Sequence, residues 1–148
     1  MSYLIDTNLL LRMAEPKHLM YHTVLDATDT LRKRGESLNV VPQNLIEFWA
    51  VATRPRANNG LGMTVDEAVA ELKSIKSLFV LLLDKPAVFS EWENLVTQHR
   101  VSGKQAHDAR IVAAMKVHGV THLLTFNTDD FKRYADITAA HPTSVAAP

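Results

Sequence analysis

Met1–Arg12 reads MSYLIDTNLLLR, and the step in its middle decides the fold. Tyr3–Ile5 is an apolar run of buried-strand length, and it ends on a carboxylate, Asp6, with Thr7 and Asn8 directly behind. Leu9–Leu11 then opens a helical stretch. A solvent turn explains such a step, and so does a metal site at the end of a central strand. The choice rests on what the rest of the chain brings to the same place.

Working outward, the Glu15–Pro16 step interrupts the first helix, because a residue before proline is biased away from helical geometry. His18–Arg34 is predicted to be helical, with Leu19, His22, Val24, Leu25, Thr28 and Leu31 near one face and Gly35 as the stop. Leu38–Val41 is a second strand, ended by Pro42. Gln43–Thr53 follows as a helix on Leu45, Phe48, Trp49 and Ala52. Arg54–Gly62 (RPRANNGLG) is rich in breakers and is a loop. Thr64 and Glu67 have capping-box spacing, and Val65, Ala68, Val69, Leu72 and Ile75 continue that helix. Leu78–Leu83 (LFVLLL) is continuously apolar and is predicted as a strand covered on both faces. A helix from Pro86 to about His99 carries Val88, Trp92, Leu95 and Val96, and Ser102–Gly103 separate it from a helix over Lys104–His118. Val120–Thr125 is a strand, Asn127–Phe131 a turn into a short helix, and Ile137–Ala140 a last strand. The tail, His141–Pro148, is expected to be partly frayed. Strands that alternate with helices need crossover connections, so the fold class is α/β, a three-layer sandwich around a parallel sheet. Ligands in such sheets gather at the carboxyl ends of the strands.

A length of 148 residues suits one domain. Lys plus Arg equals Asp plus Glu, 16 each, so bulk positive charge does not hold a nucleic acid here; a local patch or metal ions would have to. The absence of cysteine excludes disulfides, thiolate zinc sites and cysteine nucleophiles, and is consistent with a cytoplasmic protein. No signal-peptide pattern and no apolar run of membrane-span length is present, so no membrane association is expected.

The acids at strand ends are the candidates for chemistry. Asp6 follows the first strand, Glu47 lies in QNLIEFWAVATR, Asp108 opens HDARIVAAMKVHG, and Asn127, Asp129 and Asp130 follow a strand in LLTFNTDDF. Each has an ordinary explanation: a turn former, a partner of Arg54, a complement to a helix dipole, a helix cap. Together they are harder to explain away. Glu47 sits among Leu45, Ile46, Phe48 and Trp49, and Asp108 shares a helix face with Ile111 and Met115. Carboxylates held close together repel, so one takes a proton or a cation joins them. Oxygen ligands favour Mg²⁺ or Mn²⁺, and without cysteine or an HExxH spacing zinc is disfavoured. Such cations, one or two, ease attack by water and neutralise charge on a phosphodiester.

These pieces resemble the PIN domain family: strand-Asp6-Thr7-Asn8, Glu47 in the helix after Pro42, Asp108-Ala109 opening an Ala-rich helix, and Thr125-Phe126-Asn127-x-x-Asp130-Phe131. The pattern is nearest to the toxin ribonucleases of VapBC toxin–antitoxin systems. The resemblance spans Tyr3 to about Ala140 and implies a PIN-like α/β/α sandwich and a Mg²⁺- or Mn²⁺-dependent endoribonuclease. It implies that Asp6, Glu47 and Asp108 bind metal, with a fourth ligand at Asn127, or at Asp130 or Asp129. It gives Thr7 and Thr125 the role of small hydroxyl residues beside the metal, and Asn8 that of ordering the first loop. It also implies an RNA substrate, a homodimer and a cognate antitoxin.

Two other readings compete. A phosphotransfer enzyme with a strand-end Asp nucleophile would want a second Asp two residues on, where Asn8 stands, or an acidic pair that Met1–Asn8 lacks. A binding module on the same scaffold is favoured by the amide at Asn127. Among the basic residues, Arg54 and Arg56, in the breaker-rich loop, are the substrate-loop candidates; Arg12, Lys104 and Arg110 lie near the acids in sequence, and His107 is read as a surface residue. The stripe Leu19, Leu25, Leu31 with Trp49 and the Val65–Ile75 helix is read as core.

Overall fold

All five strands of the described chain run parallel, as crossover helices require. The structure, a computed structural model, describes residues 1–146. The elements in order are β1 (Ser2–Ile5), α1 (Thr7–Met13), α2 (Tyr21–Lys33), β2 (Ser37–Val40), α3 (Pro42–Thr53), α4 (Val65–Leu78), β3 (Val80–Leu81), α5 (Ala87–Gln98), α6 (Gln105–His118), β4 (His122–Leu124), β5 (Thr138–Ala140) and α7 (Pro142–Ala146). Short 3-10 turns cover Arg56–Asn58 and Thr128–Phe131. The sheet order is β3-β2-β1-β4-β5. The chain therefore works outward from β1 to one edge and then returns to the other side of β1. That reversal makes the gap between β1 and β4 a topological switch point, where open α/β sheets form crevices.

The sheet is packed on both faces, and β1 shows why its residues are apolar without alternation. Tyr3 and Ile5 join a core with Leu9, Leu10, Val24, Leu31, Phe48 and Ile75, from α1 to α4. Leu4, between them, points to the opposite core with Val88, Leu95, Ile111, Met115 and Leu123. Helix α6 buries Ala109 and every residue from Ile111 to Met115, so its Ala-rich sequence lets it lie close against sheet and α5.

Three expectations are corrected. The second helix begins at Tyr21, not His18, because the His18 Nδ1 accepts from the Met20 N–H at 3.0 Å and closes a local turn. Leu19 in that turn is 90% exposed and is not core; Val65 and Val69 are exposed too. The run Leu78–Leu83 is not a strand covered on both faces. Leu78 ends α4, Phe79 turns into the core, and only Val80–Leu81 pair, at the edge of the sheet, with Val80 and Leu83 largely exposed. An apolar run alone does not separate a doubly covered strand from a helix end joined to an edge strand. Of the tail, residues 142–146 form α7, which packs on α2 with Val145 buried. The remaining two residues lie outside the described chain.

Candidate functional site

The crevice at the switch point is built by β1, β4 and the helices that begin beside their carboxyl ends. Asp6 is the N-cap of α1, and its Oδ1 accepts from the Thr7 N–H at 2.9 Å. Its Oδ2 accepts from the Thr125 hydroxyl, one residue past β4, at 2.7 Å. Thr125 is fully buried, and its oxygen also accepts from the Asn127 N–H at 3.0 Å and, at a longer 3.5 Å, from the Asn8 side-chain amide. One hydroxyl thus joins the β1 and β4 loops and uses its whole hydrogen-bonding capacity.

Glu47 reaches the same crevice from α3. Val41 N–H donates to the Asn44 Oδ1 at 2.9 Å, fixing the start of that helix behind Pro42. The Thr7 hydroxyl donates to Glu47 Oε1 at 2.7 Å. Gln43, one turn earlier, donates to Glu47 Oε2 at 3.2 Å and to the His107 carbonyl at 2.8 Å. Arg110 donates to Gln43 Oε1 at 3.0 Å, which orients the amide with its NH₂ toward Glu47. Asp108 stands in the first turn of α6, which starts at the carboxyl edge because the helix runs antiparallel to the strands.

The result is a cavity of about 360 Å³ lined by Asp6, Thr7, Asn8, Glu47, Arg54, Asp108 and Asn127, with Leu11, Ala50 and Val51. Burial pushes the Asp6 carboxyl up to about 6, against the Thr125 and Thr7 hydrogen bonds that favour its ionised form, and the charges of Glu47 and Asp130 push the same way as burial. Asp108 also rises to about 6, first through burial and then through the charges of Asp6, Asp130 and Glu47. Mutual repulsion of this kind is what a cation relieves. Among the described residues no three Asp, Glu or His side chains are gathered tightly enough to chelate one ion as they stand. Asp6 and Glu47 are instead turned to the hydroxyls of Thr125 and Thr7. The donor set is all oxygen, and Asn8 adds a buried Oδ1 without a hydrogen-bond partner, so the residues fit a hard divalent cation.

The other residues singled out in the sequence separate clearly. Asp130 does not line the cavity but its charge acts on Asp6 and Asp108. Asp129 is exposed and paired with Lys132 at 2.7 Å. Arg54 lines the cavity, whereas Arg56 lines a different groove with Glu15, His18 and Glu67. Arg12 pairs with Glu15, and Arg110 with Asp84 at 3.1 Å. Gly60 has no room for a side chain: a Cβ there would run into the carbonyl and Cβ of Arg54, so the loop folds tightly under that arginine. Gln43 and Asn44 were not anticipated. Their signal was present in PQNLIEFW, since two amides in the buried start of a helix must find partners.

Comparison with known proteins agrees with this fold. The model of the PIN domain family matches residues 3–137. Among solved structures, VapBC2 from Rickettsia felis bound to a promoter DNA fragment superposes with a TM-score of 0.72 at 16% identity, covering 95% of this chain and 98% of that one. VapBC-1 from nontypeable Haemophilus influenzae gives 0.66 at 16% identity, covering 97% and 99%. VapC20 of Mycobacterium tuberculosis, a toxin that cleaves the sarcin–ricin loop, gives 0.60 at 18% identity, covering 89% and 95%. No curated protein matches in sequence. With a five-stranded parallel sheet, an acid-lined crevice at its switch point and a family match over nearly its whole length, the chain belongs to the PIN domain family.

Proposed function

We propose that this PIN domain is an endoribonuclease dependent on Mg²⁺ or Mn²⁺, and the toxin component of a type II toxin–antitoxin pair. The observation that carries the reading is the convergence of Asp6, Glu47 and Asp108, from distant parts of the chain, on one small crevice where two of them resist ionisation. Those three acids would hold the cation, with the Asn127 side-chain oxygen or the Asp130 carboxylate completing the set. A bound divalent ion supplies Lewis acidity for attack of water on the phosphodiester. The chain's own groups do the positioning. Thr125 and Thr7 hold one oxygen each of Asp6 and Glu47 through their hydroxyls, and the Thr7 N–H holds the other oxygen of Asp6. Gln43 fixes the second Glu47 oxygen, and Arg54 supplies the positive charge at the rim for the phosphate.

A protein partner is supported by two further observations. A further structure that superposes on this chain is a toxin–antitoxin complex from Klebsiella pneumoniae. On this chain Leu19, Ile46, Val65 and Val69 are large apolar residues left exposed, a pattern of surfaces that meet partners. An antitoxin and a second copy of the chain are the partners proposed. The amide at Asn127 favours a second reading, a PIN scaffold that binds RNA without cutting it.

A fluorescent RNA incubated with the purified protein and a Mn²⁺ series tests the assignment. Cleavage that rises with Mn²⁺, stops with chelator and is lost in Asp6→Asn, Glu47→Gln and Asp108→Asn supports it. Binding without cleavage at any metal concentration favours the second reading.

A further inference from the structure

A second cavity, of about 490 Å³, also borders the first turn of α6, beside the acidic crevice. His107 and Asp108 are successive residues of that turn; Asp108 lines the crevice and His107 the second cavity. Its floor is apolar: Val88, Phe89 and Trp92 from α5, with the Phe89 and Trp92 rings 5.6 Å apart and tilted by 35°. Phe89 is 66% exposed, a large aromatic face turned to solvent. The Trp92 indole N–H donates to the Ala106 carbonyl at 2.8 Å, which pins the ring to the start of α6. The rim carries Lys85, His107 and Arg110, with the carboxylate of Asp84 beside them. Arg110 is shared between Asp84 and Gln43, while Lys85 makes no ion pair among the described residues.

We infer that this cavity is a nucleotide subsite, in which one base of the RNA flanking the bond to be cut stacks on Phe89 and Trp92 while its phosphate meets Lys85 and Arg110. The inference rests on the nuclease reading above and extends it to substrate selection. Volume and lining suit one nucleotide, since ligand sites of this size combine an apolar wall with a few fixed polar groups. Aromatic faces beside cations are how single-stranded nucleic acids are held, because every base has a face to stack and every linkage a charge. Aromatic and cationic groups also meet at protein interfaces; what favours RNA here is that the pair and the cations line a cavity bordered by the first turn of α6, whose Asp108 lines the acidic crevice. The two cavities are also joined by one hydrogen-bonded path. Arg110 donates to Gln43, and Gln43 donates to Glu47 and to the His107 carbonyl. A phosphate drawing Arg110 from Asp84 therefore acts on the same arginine that orients Gln43 against Glu47, so filling the subsite is read at the catalytic acid.

Trp49→Phe leaves Trp92 as the sole tryptophan. That protein is titrated with a short oligoribonucleotide in EDTA, so binding is read without cleavage. Saturable quenching of Trp92 is expected. Phe89→Ala, an exposed position that does not threaten the fold, is expected to weaken binding about tenfold. Lys85→Ala is expected to flatten the dependence of log Kd on log salt by about 0.7. A single abasic position moved along the RNA should weaken binding most at one register, and that loss should vanish in Phe89→Ala. Unchanged RNA affinity in Phe89→Ala while the native sequence still cleaves RNA overturns the subsite and leaves the nuclease intact. Unchanged affinity with a shift in oligomeric state assigns the face to protein contact and equally overturns it. Neither binding nor cleavage by the native sequence overturns both.

Discussion

Asp6→Asn should stabilise the metal-free protein near neutral pH, although it removes a proposed metal ligand. The carboxyl rises from 3.8 to about 6, led by burial. About two units at 1.36 kcal/mol each place the cost of keeping Asp6 ionised in the fold at about 3 kcal/mol. Asparagine removes that charge, keeps an oxygen for the Thr7 N–H, and disturbs the hydrogen bond from Thr125, a loss of about 1 kcal/mol. The net gain is then about 1–2 kcal/mol, which for a chain of this size raises Tm by about 3–6 °C. The sign follows from linkage. A carboxyl whose folded pKa is raised contributes its full stability below the unfolded value, and that contribution is lost as pH rises through about 6. The variant's advantage should therefore be largest above about pH 7 and gone near pH 4. Thermal denaturation in EDTA at both pH values measures it. A variant destabilised equally at both would mean that Asp6 carries its charge without penalty, and the electrostatic case for a cation in the crevice would fail with it.

Mn²⁺ binding to the native sequence should strengthen as pH rises through about 6 and level off above it, because Asp6 and Asp108 must lose their protons to ligate; calorimetric titration across that range checks this. Thr125→Val should weaken Mn²⁺ binding several-fold and move the acid limb of any pH–rate profile upward, since it deletes the hydroxyl that favours ionised Asp6. Gly60→Ala should lower RNA affinity with little change in Mn²⁺ affinity, because the added methyl displaces Arg54 and leaves the acids alone; parallel RNA and metal titrations separate the two. Phe48→Ala should cost about 3–5 kcal/mol in urea denaturation, since the ring is wholly buried where α3 meets the sheet.

The features that repeat were the ones legible in sequence. Apolar strands broken by Gly, Pro and polar turns determine the parallel sheet, and with it the edge at which Asp6, Asp108 and Asn127 appear. Glu47 was marked by its apolar company, of which α3 buries Leu45 and Phe48 and leaves Ile46 exposed. The misreadings share a cause. Leu19, Val65 and Val69 have the chemistry of core residues, and periodicity cannot tell a face turned inward from one left for a partner. Leu78–Leu83 failed for the same reason. Gln43 escaped because its role depends on His107 and Arg110, far along the chain, and Arg56 was grouped with Arg54 because two residues in sequence do not reveal which way a loop turns.

The two borders of the sheet are short, two residues in β3 and three in β5. A strand that brief exposes too few unpaired amides to recruit another backbone. Copies of this chain can meet through side chains on helices, yet they have little means of growing a continuous ladder from one molecule to the next. Self-association should accordingly stop at closed, dilutable assemblies instead of running on into fibrils, even with so much greasy surface left bare.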